Sequence, residues 1–269
     1  MVRLRFLFYL VAAIFVLAAV PLSHLWAGSA EPRPTSNGTA RNPVLVELFT
    51  SEGCSDCPPA DALLEKLDRS QPVNGAEVVV LSEHVDYWNG IGWKDPYSSH
   101  QYSERQNAYA GQFGLGSVYT PQMVVDGQYE FVGSDERRAI HAVENVAKVE
   151  KIPVHISSLR LDGGNAISLH IDASRLPSSA ASSANVLLAI ADERDESHVD
   201  GGENGGRTLR HVAVLRSLTR VGTVDQSGEF SKDLRINANP GNGDLRFIAI
   251  VQEMTAGRIL GVGSTRLSK

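Results

Sequence analysis

The first apolar residues form an unbroken run, Phe6 to Leu22, with Arg3 and Arg5 ahead of it. Further along, the pattern changes from run to period. Val44 to Phe49 is almost wholly apolar and ends at turn residues, which predicts a short buried strand. Over Asp61–Leu67 the apolar positions fall at helical spacing. Pro58 and Pro59 suit a first helical turn, where no N–H is needed, and Asp61 early with Lys66 late suits the helix dipole. Glu77 to Ser82, rich in β-branched residues, predicts a second buried strand. Strand, helix and strand at this spacing imply a parallel pair with a crossover helix. Ser98 or Ser99 is placed to cap a helix through Arg105, Ala108 and Tyr109, which residues 111–117 break. Asp126-Gly127 between two apolar runs predicts a hairpin. Ser134-Asp135-Glu136 then opens a closing helix with Ala139, Ile140, Val143 and Val146 on one face.

From Ile152 short alternating runs follow at 153–161, 165–172, 185–192, 211–220, 228–236, 245–252 and 258–263. Clusters of Gly, Ser, Asn and Pro separate them, as in a mainly antiparallel, sandwich-like region. Residues 192–210 read as one long polar loop. The division implied is residues 1–30 as a signal peptide or anchor, 31–42 as linker, 43–150 as an α/β domain, and 151–269 as a β-rich C-terminal domain.

Composition narrows the setting. The chain has 269 residues, 42% hydrophobic and 21% charged, enough to build a core. A net charge of −6 without a basic run argues against a nucleic-acid partner. Gly28-Ser29-Ala30 offers small residues for cleavage of an export signal before Glu31. Left uncleaved, the apolar run is long enough to anchor the chain in a membrane. Either way the folded part is expected outside the cytoplasm, periplasmic or secreted, in an oxidising compartment.

The only two cysteines are Cys54 and Cys57, so no disulfide framework exists and all sulfur chemistry gathers at one turn. Cys54 falls at or just before a helix N-terminus, where free N–H groups favour a thiolate. It is the expected attacking thiol, with Cys57 one turn in as resolver. A structural disulfide and a metal site are the competing uses, although zinc usually needs four ligands and no second Cys or His pair is present. The helix end lowers the pKa of Cys54, while Glu52 and Asp56 as like charges raise it. That balance points to a reductase- or isomerase-type pair rather than a strong oxidant. Glu47, inside an apolar strand, is either a proton shuttle for Cys57 or an outward-facing carboxylate. His84, with Asp86 close behind, is an acid/base, a structural residue or, with both thiolates, a copper ligand. Tyr87, Trp88 and Trp93 line a substrate groove or pack in the core. Gly202–Leu209 is a loop placed to fold over the cysteines, with Glu203 and Arg207 as partner contacts or as part of a solvated connection.

The wording of Glu47–Asp61, His84–Trp88, Gly92–Pro96, Val118–Val125 and Gly202–Leu209 resembles a family of secreted bacterial thioredoxin-like proteins of unknown function. The resemblance runs from about Asn42 to the C-terminus. It implies a thioredoxin-like fold for 43–150, with Pro121 cis and facing the cysteines. Thr120 would then offer its backbone to an extended substrate strand. Ser55-Asp56 departs from the Gly-Pro or Pro-His insert of the best-known thioredoxin relatives. The resulting expectation is an exported thiol–disulfide oxidoreductase that acts on protein thiols and disulfides, needs no cofactor and is recycled by a redox partner. The alternatives are a copper-binding or metal-delivery protein using Cys54, Cys57 and His84, and a binding module whose cysteine pair is only a staple.

Overall fold

The computed structural model describes residues 41–162, 164–238 and 244–267. The expected export signal and all but the end of the expected linker lie outside the described residues. Among the described residues no helix is long and apolar enough to cross a membrane.

Strand β1 (Asn42–Thr50) runs parallel to β2 (Ala76–His84), from Asn42 opposite Ala76 to Thr50 opposite His84. The crossover is α1 (Pro58–Ser70), with prolines in its first turn and Leu63, Leu64 and Leu67 buried. Helix α2 (His100–Phe113) is capped by the Ser99 hydroxyl, which accepts from the Gln101 N–H. Strand β3 (Gln122–Val125) lies antiparallel to β1 and turns into β4 (Tyr129–Val132). Asp126 and Gly127 both take positive φ, 54° and 64°, in a three-residue connection that leaves Val125 opposite Tyr129. Helix α3 (Glu136–Val146) is capped by Asp135 on the Arg138 N–H.

The remaining strands are β5 (Val154–Leu161), β6 (Ala166–Ala173), β7 (Ser183–His198), β8 (Thr208–Asp225), β9 (Phe230–Asn237), β10 (Leu245–Glu253) and β11 (Ile259–Leu267). They correct the expected fold class. A thioredoxin-like α/β domain followed by a β-rich, sandwich-like region is not what the chain forms. Strand β8 pairs in parallel with β2, Ser82 opposite Val214, and carries β7, β10 and β11 with it. The product is one mixed sheet of eight strands in the order β11-β10-β7-β8-β2-β1-β3-β4, with a smaller sheet β5-β6-β9. Only three α-helices occur among the described residues, so the architecture is β-rich. The stretch expected as a long loop, 192–210, is mostly the paired ends of β7 and β8, out to His198 opposite Thr208. Alternation shows that a segment is a strand; it does not show which edge the strand joins.

The described residues belong to one compact unit, and the boundary expected near residue 150 falls inside it. One core, over α1 and α3, gathers Leu48, Leu64, Met123, Phe131 and Val143 with Ala213, Ile248 and Ile259. A second lies beneath the small sheet, with Ile167, Leu169 and Ile171 against Val186, Leu188 and Phe247. Strand β10 feeds Ile248 and Ile250 to the first core and Phe247 and Ala249 to the second, which is why it reads as a continuous apolar run. Arg246 ties β10 to α1, donating to Asp68 at 2.8 and 3.1 Å and to Glu193 at 2.9 and 2.7 Å.

Candidate functional site

Beyond Thr50 the chain leaves the sheet in a tight turn. The Gly53 N–H donates to Ser51 Oγ at 3.1 Å and the Cys54 N–H to the Ser51 carbonyl at 3.1 Å. A Cβ on Gly53 would meet Trp88 Cβ at 3.2 Å, so this position lets the aromatic segment lie against the turn. Cys57 is the N-cap of α1, and its carbonyl accepts from Ala60 and Asp61 at 2.8 and 3.1 Å. Both cysteines are free thiols, both are buried, and their side chains touch.

The two thiols are pushed in opposite directions. A hydrogen bond from Cys57 lowers Cys54 to about 7, against its burial, with help from Thr120 and from the N–H groups of Asp56 and Cys57. Burial pushes Cys57 up, and the Cys54 and Asp61 charges push it further. The like-charge effect expected of Glu52 and Asp56 is not among the main influences on Cys54. Asp56 supplies its N–H, and Glu52 is turned away, accepting from Trp93 Nε1 at 2.8 Å and from the Ser197 hydroxyl.

Thr120 and Pro121, joined by a cis peptide, close one side. Trp88 Nε1 donates to Thr120 Oγ1 at 2.8 Å, and Gly133 lies where a Cβ would crowd both Pro121 and Ala60 of α1. Tyr87 is half exposed beside them, donating to Gln106 at 3.1 Å, with its hydroxyl pushed up to about 12 by burial. The opposite side is closed by the connection between β7 and β8. Asn204 is fully buried and donates to the carbonyls of Glu52 and Cys54 at 2.9 and 2.8 Å. Glu203 accepts from the Ser55 N–H at 2.9 Å, and Arg207 donates to Asn204 at 2.9 Å. Replacing Asn204 by Ala strands two carbonyls, so it should cost roughly 1–3 kcal/mol in urea denaturation. A loss of only a few tenths would show that this tether is not holding the turn.

Behind the cysteines lies a buried polar layer. His84 Nδ1 is 2.7 Å from Asp95 Oδ2, which also accepts from the Glu52 N–H at 2.8 Å. The His84 and His211 rings meet edge to face, 4.7 Å between centroids. His211 Nε2 lies 3.3 Å from Glu52 Oε1, and its Nδ1 lies 3.8 Å from Asp61 Oδ1. Burial would lower the His211 pKa, but the carboxylates of Asp61 and Glu52 outweigh it and hold the ring protonated, with the pKa raised to about 10.

Of the residues singled out in the sequence, Cys54, Cys57, Thr120, Pro121, Tyr87 and Trp88 meet at the turn, and Trp93 reaches it through Glu52. Glu47 does not. It is fully buried, neither outward-facing nor beneath the thiols, and sits on the α2 side of β1. There it accepts from Arg105 Nε at 2.7 Å and Tyr109 at 2.6 Å. Among the described residues no group of three or more His, Cys, Asp and Glu could hold a metal ion, so His84 does not join Cys54 and Cys57 as a ligand set. Sequence reading missed Asp61, Asp95, Asn204 and His211 as parts of the site. Asp61, Asp95 and Asn204 lie in motifs already noted, whereas nothing local marks His211.

Fold and site define a β-rich protein with a dithiol at the mouth of a helix and a wall built by the second half of the chain. The chain belongs to the family described as "Protein of unknown function (DUF1223)", which matches residues 45–252. It is similar to a crystal structure of an Agrobacterium tumefaciens protein, at 26% identity and a TM-score of 0.63, over 84% of this chain and 93% of that one. It also shares its fold with HBP35 of Porphyromonas gingivalis, at 14% identity and a TM-score of 0.57, over 86% of this chain and 76% of the other. No curated protein matches the sequence.

Proposed function

We propose that this protein exchanges thiols and disulfides with other proteins outside the cytoplasm, as a thiol–disulfide oxidoreductase without a bound cofactor. The observation that supports this reading is the split between two touching thiols, Cys54 lowered to about 7 and Cys57 raised. A thiol whose pKa lies near ambient pH combines thiolate population with nucleophilicity. In the reducing direction the Cys54 thiolate attacks a substrate disulfide, forms a mixed disulfide and expels one substrate thiolate. Cys57 then loses its proton and attacks Cys54 Sγ, which releases the second substrate thiolate and leaves a Cys54–Cys57 disulfide. Two electrons pass to the substrate, and a separate redox partner returns them. Tyr87 and Trp88, beside Thr120, form the surface on which the substrate chain rests. The N-terminal apolar segment supports the extracytoplasmic setting.

Alkylation of Cys54 against pH tests the reading. The expected midpoint lies near 7, with reduction of a model protein disulfide by the dithiol form and none by Cys54→Ser. A midpoint near the ordinary thiol value of about 8.5, together with no disulfide reduction by the wild type, would overturn it.

A further inference from the structure

Exchange of this kind leaves one step unassigned: Cys57 must lose a proton it holds tightly. The buried polar layer offers a place for it. Thr50 Oγ1, Ser82 Oγ, His84 Nε2, Asp61 Oδ1 and His211 Nδ1 are all buried with no hydrogen-bond partner among the described residues. Buried polar atoms without a partner are uncommon, and these five gather behind the cysteines.

Backbone register puts them on one face. Thr50 pairs with His84 and Leu48 with Ser82, and parallel partners point to the same side. Leu48 is on the α1 side, with Ala60 and Pro121 around Gly133. Glu83, between Ser82 and His84, points the other way, towards Arg105. On α1, Cys57 and Asp61 are one turn apart, the Asp61 N–H bonded to the Cys57 carbonyl at 3.1 Å. Side chains at this separation have Cβ atoms about 5–6 Å apart. That is within reach of a thiol proton, directly or through one water.

The neighbouring acids are already engaged. Glu52 accepts from Trp93 and Ser197 and lies against His211, while Asp95 lies against His84 and accepts from the N–H groups of Glu52 and Tyr97. Glu47 is bound to Arg105 and Tyr109 across the sheet. Among the described residues Asp61 Oδ1 accepts no hydrogen bond, its one ion-pair neighbour being His211, and the residue is 7% exposed. His211 of β8 stands 3.8 Å behind that oxygen, with its other nitrogen towards Glu52.

We infer that Asp61 accepts the Cys57 proton as the second thiol attacks, and that His211 is the positioning residue that holds Asp61 for it; the inference rests on the exchange reading above. The Cys57 S–H bond breaks and the proton passes to Asp61 Oδ1. The Cys57 sulfur pair forms the bond to Cys54 Sγ, and the substrate leaves as its thiolate, which the Asp61 proton then neutralises. The groups facing Cys57 are Cys54 and Asp61 from α1 and its turn and Thr50 from β1. The second rank is His84 with Asp95, and His211 with Glu52.

Rapid-quench kinetics with a model peptide disulfide separates formation of the mixed disulfide from its resolution. In Asp61→Asn, resolution at pH 7 should slow roughly 100-fold, the usual scale of a positioned acid or base. The gap should narrow towards about pH 10, where hydroxide replaces the carboxylate. His211→Gln should show a smaller loss with the same narrowing, and decides the matter if Asp61→Asn does not fold. A wild type that forms no mixed disulfide overturns the exchange reading and this one together. A mixed disulfide that forms normally but resolves in both variants at the wild-type rate, or with an equal loss at every pH, overturns this one alone.

Discussion

Arg105→Leu should lose roughly 3–5 kcal/mol of folding stability in urea denaturation at neutral pH. Arg105 is buried against both β1 and β2. It donates to Glu47 at 2.7 Å, Gln252 at 3.0 Å and Tyr109 at 3.0 Å, and lies 3.5 Å from Glu83. Without it the Glu47 carboxylate loses its cationic partner, and an uncompensated buried charge is what makes breaking such a pair costly. Glu83 is a different case. Burial and the Glu47 charge push its carboxyl well above the usual range, which favours the neutral form. Glu83→Gln should therefore change stability by less than about 1 kcal/mol. Equal losses in the two variants would show that this charge assignment is wrong.

A second large effect is expected at His211. His211→Leu removes the cation between Glu52 and Asp61, and should also cost roughly 3–5 kcal/mol near neutral pH. The pH dependence is a sharper test. The folded-state pKa of His211 is raised from 6.5 to about 10, so the imidazolium contributes fully below 6.5 and its contribution is lost as pH climbs through about 10. Wild-type stability should thus fall over that interval, and the slope should be smaller in His211→Leu. Glu52 and Asp95, both lowered, act at the other end. Their contribution stands above the ordinary carboxyl range and is lost as acid protonates them. Identical wild-type and variant curves between 6.5 and 10 would place the charge elsewhere.

How much was visible in the sequence differs by element. The strand, cysteine turn and helix of 44–67, the hairpin at Asp126-Gly127 and the caps of α2 and α3 follow from short-range chemistry, and each forms where its residues indicate. The thioredoxin-like fold class does not hold, because it depended on where β8 docks. One parallel pairing at Ser82 and Val214 converts two expected layers into a continuous sheet. The site divides in the same way. Cys54, Cys57, Thr120 and Pro121 are marked by motif. His211 comes from a strand 154 positions beyond Cys57, and only the β8 docking brings it to Asp61. Glu47 meets neither of its two expectations, because an acid in an apolar strand says nothing of which side holds its partner.

The tether from Asn204 ends on two main-chain carbonyls rather than on side chains. Asp56, exposed between the cysteines, therefore has no part in anchoring the turn to the β7–β8 connection. The charge presented at the rim there can therefore change while the spacing of the two sulfurs stays as it is.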